Sequence, residues 1–268
     1  MSRNNMYRKL PFQGAEPRLV AEVVNNLVEG KSNNTGEFTL ETGWANTTTI
    51  YDERIGYDSV IYLMPYSTEA FFDTTPYAVF SDNTTQLAPS TGNTAVVVFD
   101  TTEESNGIYL DATNPSRMYV RNAGTYNVAF TLQLQNNSND GEFAAVWYRV
   151  NGTDVVRSAS RFGLPARKST GDPSELIGAM NIFLELTAGD YVELAGATSS
   201  TDIALWASPA QTTPFIRPAV PSVICTVNYV APNNINNIYI SNTGKGEATI
   251  AHFANNIADK TYRYIIVG

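Results

Sequence analysis

Tyr126-Asn127-Val128-Ala129-Phe130-Thr131-Leu132-Gln133-Leu134 decides the fold class, because its large apolar side chains fall on every second residue. A strand turns successive side chains to opposite faces, so Tyr126, Val128, Phe130, Leu132 and Leu134 share one face while polar or small residues hold the other. This is an antiparallel strand with one face in a core and one in water. The pattern continues outward. Val146, Tyr148 and Val150 alternate as far as Asn151-Gly152, a dipeptide suited to the positive φ values of a tight hairpin, with Val155 and Val156 expected to return. Ile182-Phe183-Leu184-Glu185-Leu186, Ala188-Gly189-Asp190 and Tyr191-Val192-Glu193-Leu194 read as a second hairpin. Phe38 with Leu40, Thr47 to Ile50, and Ser59 to Pro65 give three further short strands, separated by Gly43, Asp52 and Gly56.

Composition agrees with strands and turns. Thr, Asn, Ser, Gly and Val recur throughout, only 16% of the 268 residues are charged, and 11% are aromatic. No long helical crossover is available to join parallel strands, so an all-β antiparallel sandwich is expected. The formal net charge of -9 argues against a nucleic-acid surface, which needs clustered cations. No apolar run approaches the ~20 residues of a membrane span, and Met1-Ser2-Arg3-Asn4-Asn5-Met6 leads into no secretory signal. The expectation is a protein made in a cytoplasm that stays soluble, with neither nucleic acid nor membrane as a partner.

Residues 1–35 read differently. Arg3, Arg8, Lys9 and Arg18 make this segment basic inside an acidic chain, and Pro11, Gly14 and Pro17 keep much of it irregular. Pro17 suits the first turn of a helix in which Val20, Val24, Leu27 and Val28 share a face until Gly30. The segment is therefore expected to be an arm with one short amphipathic helix. Its stripe has two alternative seats, the chain's own β body or a neighbouring subunit.

Chemistry is sparse. Cys225 is the only cysteine, which excludes an internal disulfide, and its apolar run Val223-Ile224-Cys225-Thr226-Val227 suggests a small buried hydrophobe. His252 is the only histidine and falls in the strand-like Thr249-Ile250-Ala251-His252-Phe253, where a structural role is the expectation. Gly244-Lys245-Gly246 reads as a hairpin turn, not a phosphate loop. Asp52-Glu53 and Glu103-Glu104 sit in turn-like contexts and form no recognisable catalytic pair. No catalytic residue, metal site or cofactor is expected. Trp44, Trp147 and Trp206 could stack on sugars, although aromatic residues at alternating positions more commonly fill a core or a subunit contact.

Asn122-Ala123-Gly124-Thr125-Tyr126-Asn127-Val128, Trp147-Tyr148-Arg149-Val150-Asn151-Gly152-Thr153-Asp154-Val155, Leu186-Thr187-Ala188-Gly189-Asp190-Tyr191-Val192-Glu193-Leu194 and Arg217-Pro218-Ala219-Val220-Pro221-Ser222-Val223-Ile224 carry a resemblance. In order and spacing they resemble a jelly-roll domain found in many phage virion proteins and related to the tumour-necrosis-factor and complement globular-head folds. The resemblance covers residues 75–231. It implies a homotrimer with aromatic and aliphatic residues at a threefold contact, and no catalytic activity. A second resemblance brackets the first. Thr47-Thr48-Thr49-Ile50-Tyr51-Asp52-Glu53-Arg54-Ile55-Gly56-Tyr57-Asp58-Ser59-Val60, Gly244-Lys245-Gly246-Glu247-Ala248-Thr249-Ile250-Ala251-His252 and Asp259-Lys260-Thr261-Tyr262-Arg263-Tyr264-Ile265-Ile266-Val267-Gly268 resemble the two halves of a small phage β module.

The expected organisation is thus an arm over 1–35, a discontinuous β domain over 36–74 and 232–268, and a jelly roll over 75–231. The expected function is a structural virion protein of a bacteriophage, a capsid decoration or head-fibre protein. It would act as a homotrimer anchored to capsid or tail proteins through Arg3, Arg8, Lys9, Arg18, Val20, Val24 and Leu27. The alternative is a tail-fibre or receptor-binding module that recognises the host surface, with a host-surface glycan among its partners.

Overall fold

A computed structural model describes residues 10–11, 16–29, 34–71, 75–87, 91–232 and 238–267. Chain contacts divide the protein into two compact units, Met1–Asp73 with Ile238–Gly268, and Thr74–Asn237. The chain enters the first unit through α1 (Pro17–Val28), where Pro17 takes an early helical position at which a missing N–H costs nothing. It continues through β1 (Thr35–Thr39), β2 (Ala45–Tyr51) and β3 (Val60–Pro65). The second unit follows with β4 (Tyr77–Asp82), β5 (Gln86–Leu87), β6 (Ala95–Val96), β7 (Thr101–Asn106), β8 (Ile108–Leu110), β9 (Met118–Val120) and β10 (Gly124–Asn136). Its remaining strands are β11 (Glu142–Val150), β12 (Thr153–Asp154), β13 (Ser160–Leu164), β14 (Ser174–Leu186), β15 (Tyr191–Thr198), β16 (Ile203–Leu205) and β17 (Val223–Ala231). The chain then returns to the first unit as β18 (Ile238–Gly244), β19 (Glu247–Asn255) and β20 (Thr261–Val267).

The second unit is a jelly-roll sandwich of two antiparallel sheets. One has the order β5-β16-β10-β17-β4-β7 with β14 along β10, and the other the order β12-β11-β15-β9-β8 with β13 along β11 and β6 along β15. Tyr126, Val128, Phe130, Leu132 and Leu134 of β10 enter one core with Val146 and Tyr148 of β11 and Val192 and Leu194 of β15. Both buried tyrosines find acceptors: the Tyr148 hydroxyl donates to Val128 O in the facing sheet at 2.9 Å, and the Tyr126 hydroxyl donates to Asn122 O at 2.7 Å. Gly124 is required where β10 meets β17, because a Cβ there would lie 2.2 Å from the Tyr229 ring. The two ends of the unit lie side by side, since β4 pairs with β17 and Tyr229 N donates to Pro76 O at 3.0 Å.

Two local expectations need correction. Ile182–Leu186 and Tyr191–Leu194 are not a hairpin: β14 pairs with β10 along all thirteen residues, whereas β15 pairs with β11, β9 and β6. The turn between them carries the chain from one sheet to the other. Asp190 closes that turn through the Thr187 N–H (2.7 Å) and hydroxyl (2.8 Å), and reciprocal backbone bonds with Val120 fix it to β9. A corner and a hairpin use the same turn chemistry, so the local signal does not separate them. At Asn151-Gly152 the φ values of 51° and 77° do make a tight turn, but the return is only Thr153–Asp154. Val155 keeps one cross-strand bond, its N–H donating to Tyr148 O at 2.9 Å, and the chain then leaves the ladder as the Ser158 hydroxyl donates to Val155 O and accepts from Tyr148 N.

The first unit packs two three-stranded sheets, β1-β20-β3 and β18-β19-β2. Ile50, Ala248 and Ile250 from one meet Tyr264 and Ile266 from the other, with Ile55 beside them. β19 and β20 are the central strands, so each sheet needs the segment before the jelly roll and the segment after it. Gly244-Lys245-Gly246 turns β18 into β19, as its composition suggests.

Candidate functional site

The second unit carries a broad solvent face on the sheet that contains β10. With the even-numbered residues of β10 in the core, the opposite face of four adjacent strands displays Ile177, Ala179, Asn181 and Phe183 of β14, then Asn127, Ala129, Thr131 and Gln133 of β10. Ile224, Thr226 and Asn228 of β17 follow, and then Tyr77 and Val79 of β4. Ile177 is 63% exposed and Phe183 61% exposed. Among the described residues no charged side chain stands on this face of β14, β10 and β17 between the strand ends, whereas on β4 the Ser81 hydroxyl, opposite Ile224, donates to the Glu103 carboxylate at 2.7 Å. Glu175 and Glu185 lie at the two ends of β14, and Glu104 lies on β7 at the far edge. β14 is also an edge strand thirteen residues long that, among the described residues, pairs only with β10, and such edges are normally shortened, charged or covered. The four strands span roughly 600–800 Å² from ordinary strand rise and spacing. That is about one partner's share of a stable protein interface.

The opposite sheet presents a different surface. β8, β9 and β15 place Tyr109, Tyr119 and Tyr191 in direct cross-strand register. The Tyr109 and Tyr119 rings are stacked with centroids 5.5 Å apart, and Tyr191 follows at 5.1 Å from Tyr119. The Arg121 guanidinium sits over Tyr109 at 4.2 Å and that of Arg117 over Tyr191 at 4.7 Å. This row escapes a sequence reading because register between strands far apart in the chain is not a local property. The only trace is that each tyrosine sits beside inward-facing apolar residues, as in Ile108-Tyr109-Leu110 and Met118-Tyr119-Val120.

The residues singled out for chemistry have structural settings. His252 is buried on β19, where Nε2 lies 2.9 Å from the Thr48 hydroxyl and Nδ1 2.7 Å from Phe253 O, and burial pushes its pKa down. Cys225 is fully buried in the jelly-roll core, and desolvation lifts its thiol to about 12, so it packs as a small hydrophobe. Trp147 is half-buried and donates from Nε1 to Asp154 at 2.7 Å, whereas Trp44 belongs to the first unit. Among the described residues no group of His, Cys, Asp and Glu is arranged to hold a metal ion.

Asp52 is the most strongly perturbed carboxylate. It accepts from the Arg54 guanidinium and backbone N–H and from the Tyr264 hydroxyl at 2.7 Å, so one side chain ties the end of β2 to β20. The Arg54 hydrogen bonds lower its pKa to about 2.

Of the anchoring set, Arg3, Arg8 and Lys9 lie outside the described residues. Arg18, Val20, Val24 and Leu27 lie on α1, and all four are exposed. Leu19, Val23 and Asn26 are partly covered, and no residue of α1 is buried.

No protein-family model matches the chain, and no curated protein matches it. Among solved structures it is similar to the globular domain of the zebrafish complement 1qA protein, at 11% identity over 59% of this chain and 99% of that chain, with a TM-score of 0.36.

Proposed function

We propose that this chain is a homotrimeric structural protein of a bacteriophage particle, a capsid decoration or head-fibre protein, anchored by its N-terminal segment. One observation carries the assembly half of this reading: the broad solvent face of β14, β10 and β17, whose middle carries no charged side chain among the described residues. A residue at a threefold axis meets its own copies, so a charge there faces two like charges. A face of Ile, Ala, Thr, Asn and Phe avoids that repulsion, and covering β14 removes the exposed edge. The motif resemblance over 75–231 supports both the trimer and the virion assignment. The exposed Val20–Val24–Leu27 stripe supplies the apolar contact for anchoring. Exposed ion pairs from Arg18 contribute only ~0–1 kcal/mol each, so burial of that stripe and threefold avidity hold the protein in place.

Light scattering of the purified chain tests assembly. The expected result is three times the chain mass, falling to one chain in Ile177→Glu with unchanged circular dichroism; a concentration-independent wild-type monomer refutes it. Deleting residues 1–30 should leave a folded trimer that no longer joins particles, and full occupancy by the truncated protein would remove the arm from the anchoring role. A receptor-binding module at a tail tip is the second reading. The half-buried tyrosine–arginine row favours it, and labelling intact particles separates shell from tail.

A further inference from the structure

We propose that the first unit carries an acid-operated latch. Protonation of His252 removes the acceptor that its ring offers to the Thr48 hydroxyl, so the unit opens at mildly acidic pH while the jelly roll stays folded. The latch belongs to the fold of this unit and does not depend on what the chain assembles with.

The position of the bond comes first. Thr48 on β2 precedes the jelly roll and His252 on β19 follows it, so the contact between them spans 204 residues of chain, and both partners are buried. Thr48 is paired with Ile250, and the two side chains share the core face of β2 and β19. Nδ1 lies 2.7 Å from Phe253 O, a group that can only accept, so this nitrogen carries the ring proton. Nε2 is then the acceptor for the Thr48 hydroxyl, whose oxygen accepts in turn from the Glu41 N–H at 2.9 Å. Asn255 adds to the same junction, with Nδ2 donating to Glu41 O at 3.0 Å. A proton on Nε2 turns an acceptor into a donor, which takes the acceptor away from the Thr48 hydroxyl proton and places a cation in the core.

The surroundings oppose that cation on balance. Burial pushes the ring's pKa below its ordinary 6.5, while the Phe253 and Thr47 carbonyls push the other way; of the nearby charges, buried Lys260 disfavours the imidazolium and Glu41 favours it. β2 and β18, the neighbours of β19 in its sheet, add only Tyr51 and Tyr239, on the opposite face. Beyond the end of β2, Asp52 and Arg54 pair with each other. Across the core β20 presents Tyr262 and Tyr264, both shifted upward and so neutral, and Glu69 stands on the helical turn Thr68–Phe71 that packs against β20. A histidine held neutral when folded stabilises fully above pH 6.5, and its contribution is lost as pH falls from 6.5 toward the lower folded value. The opening equilibrium then grows by up to about tenfold per pH unit. His252 is the only histidine of the chain, and Asp111, Asp154 and Asp190 of the jelly roll are shifted downward, so the larger unit has no histidine to match it.

Hydrogen exchange of the full chain at pH 7.5 and 5.0, corrected for the intrinsic pH dependence of exchange, tests the latch. Protection over 35–71 and 238–267 should fall at least about fivefold at pH 5.0, return at pH 7.5, and stay constant over 75–232. The single histidine gives one imidazole resonance, and its NMR titration in the folded chain should have a midpoint below 6.5. His252→Gln, which cannot take up a proton, should show no step between the two pH values. Asp52→Asn should keep the step, because the Asp52 carboxylate is ionised at both. Equal protection at the two pH values, a midpoint at or above 6.5, a step of the same size in His252→Gln, or equal loosening of 75–232 each overturns the latch. If circular dichroism shows His252→Gln to be unfolded, the wild-type exchange step and the imidazole midpoint decide together.

Discussion

Replacing Ile250 by Ala should open the first unit as a whole and leave the jelly roll untouched. Ile250 is fully buried on β19, between β18 and β2, and it packs in the core formed with Ile50, Ile55, Ala248, Tyr264 and Ile266. Truncating a large buried aliphatic side chain to Ala costs about 2–5 kcal/mol, and a central-strand site with so few partners cannot collapse to fill the gap. Taking ~3.5 kcal/mol, amides that exchange through opening of this unit should exchange roughly 300-fold faster. Hydrogen exchange read by mass spectrometry is the assay. Protection should fall in parallel over 35–71 and 238–267, because among the described residues β1 and β3 pair only with β20 and β2 pairs only with β19. Residues 75–232 should keep wild-type protection. If protection falls in 238–267 while 35–71 stays protected, the two segments are not one cooperative unit; if 75–232 loosens equally, the two units are not independent.

The Asp52 carboxylate sets an acid limit on the same unit. Its folded pKa is about 2 against an ordinary 3.8, so its contribution is complete above pH 4 and is lost as pH falls from 4 toward 2. Chemical denaturation should show that loss, and Asp52→Asn should be less stable by ~1–2 kcal/mol at pH 7 with a flatter acid limb. At the alkaline end, burial and the bond to Asp52 raise Tyr264 to about 12, so the unit should weaken as pH rises from 10 through 12. Cys225 should react with an aromatic disulfide reagent only at the rate of jelly-roll unfolding, because it is fully buried and its thiol stays protonated; fast labelling of native protein would contradict its place in the core.

The fold class was legible because β10 states its own environment. Thirteen residues alternate buried and half-buried without interruption, and no helix or parallel strand gives that pattern. The α1 boundaries were legible too, from Pro17 and the apolar spacing that follows it. Partner choice was not. Ile182–Leu186 and Tyr191–Leu194 have all the local features of a hairpin, yet their partners are β10 and β11. Those partners are selected by which inner faces complete the core, and that information is spread over the whole unit. The broad sheet face and the tyrosine row were hidden for the same reason. Ile177, Thr131 and Ile224 are unremarkable one by one and become a surface only when register sets them side by side.

The central position of β19 and β20 has a consequence for synthesis. About 170 residues separate the end of β3 from the start of β18, so at ~5–20 residues per second the ribosome leaves β1, β2 and β3 without any partner for roughly 10–35 s. During that interval the jelly roll can form, and its own folding lays Pro76 against Tyr229, which turns a long chain closure into a short one. A nascent chain whose jelly roll stalls has no such shortcut. Its waiting strands are then open to β19 and β20 of a neighbouring copy on the same message, so variants that slow the jelly roll should produce strand-exchanged oligomers through the smaller unit.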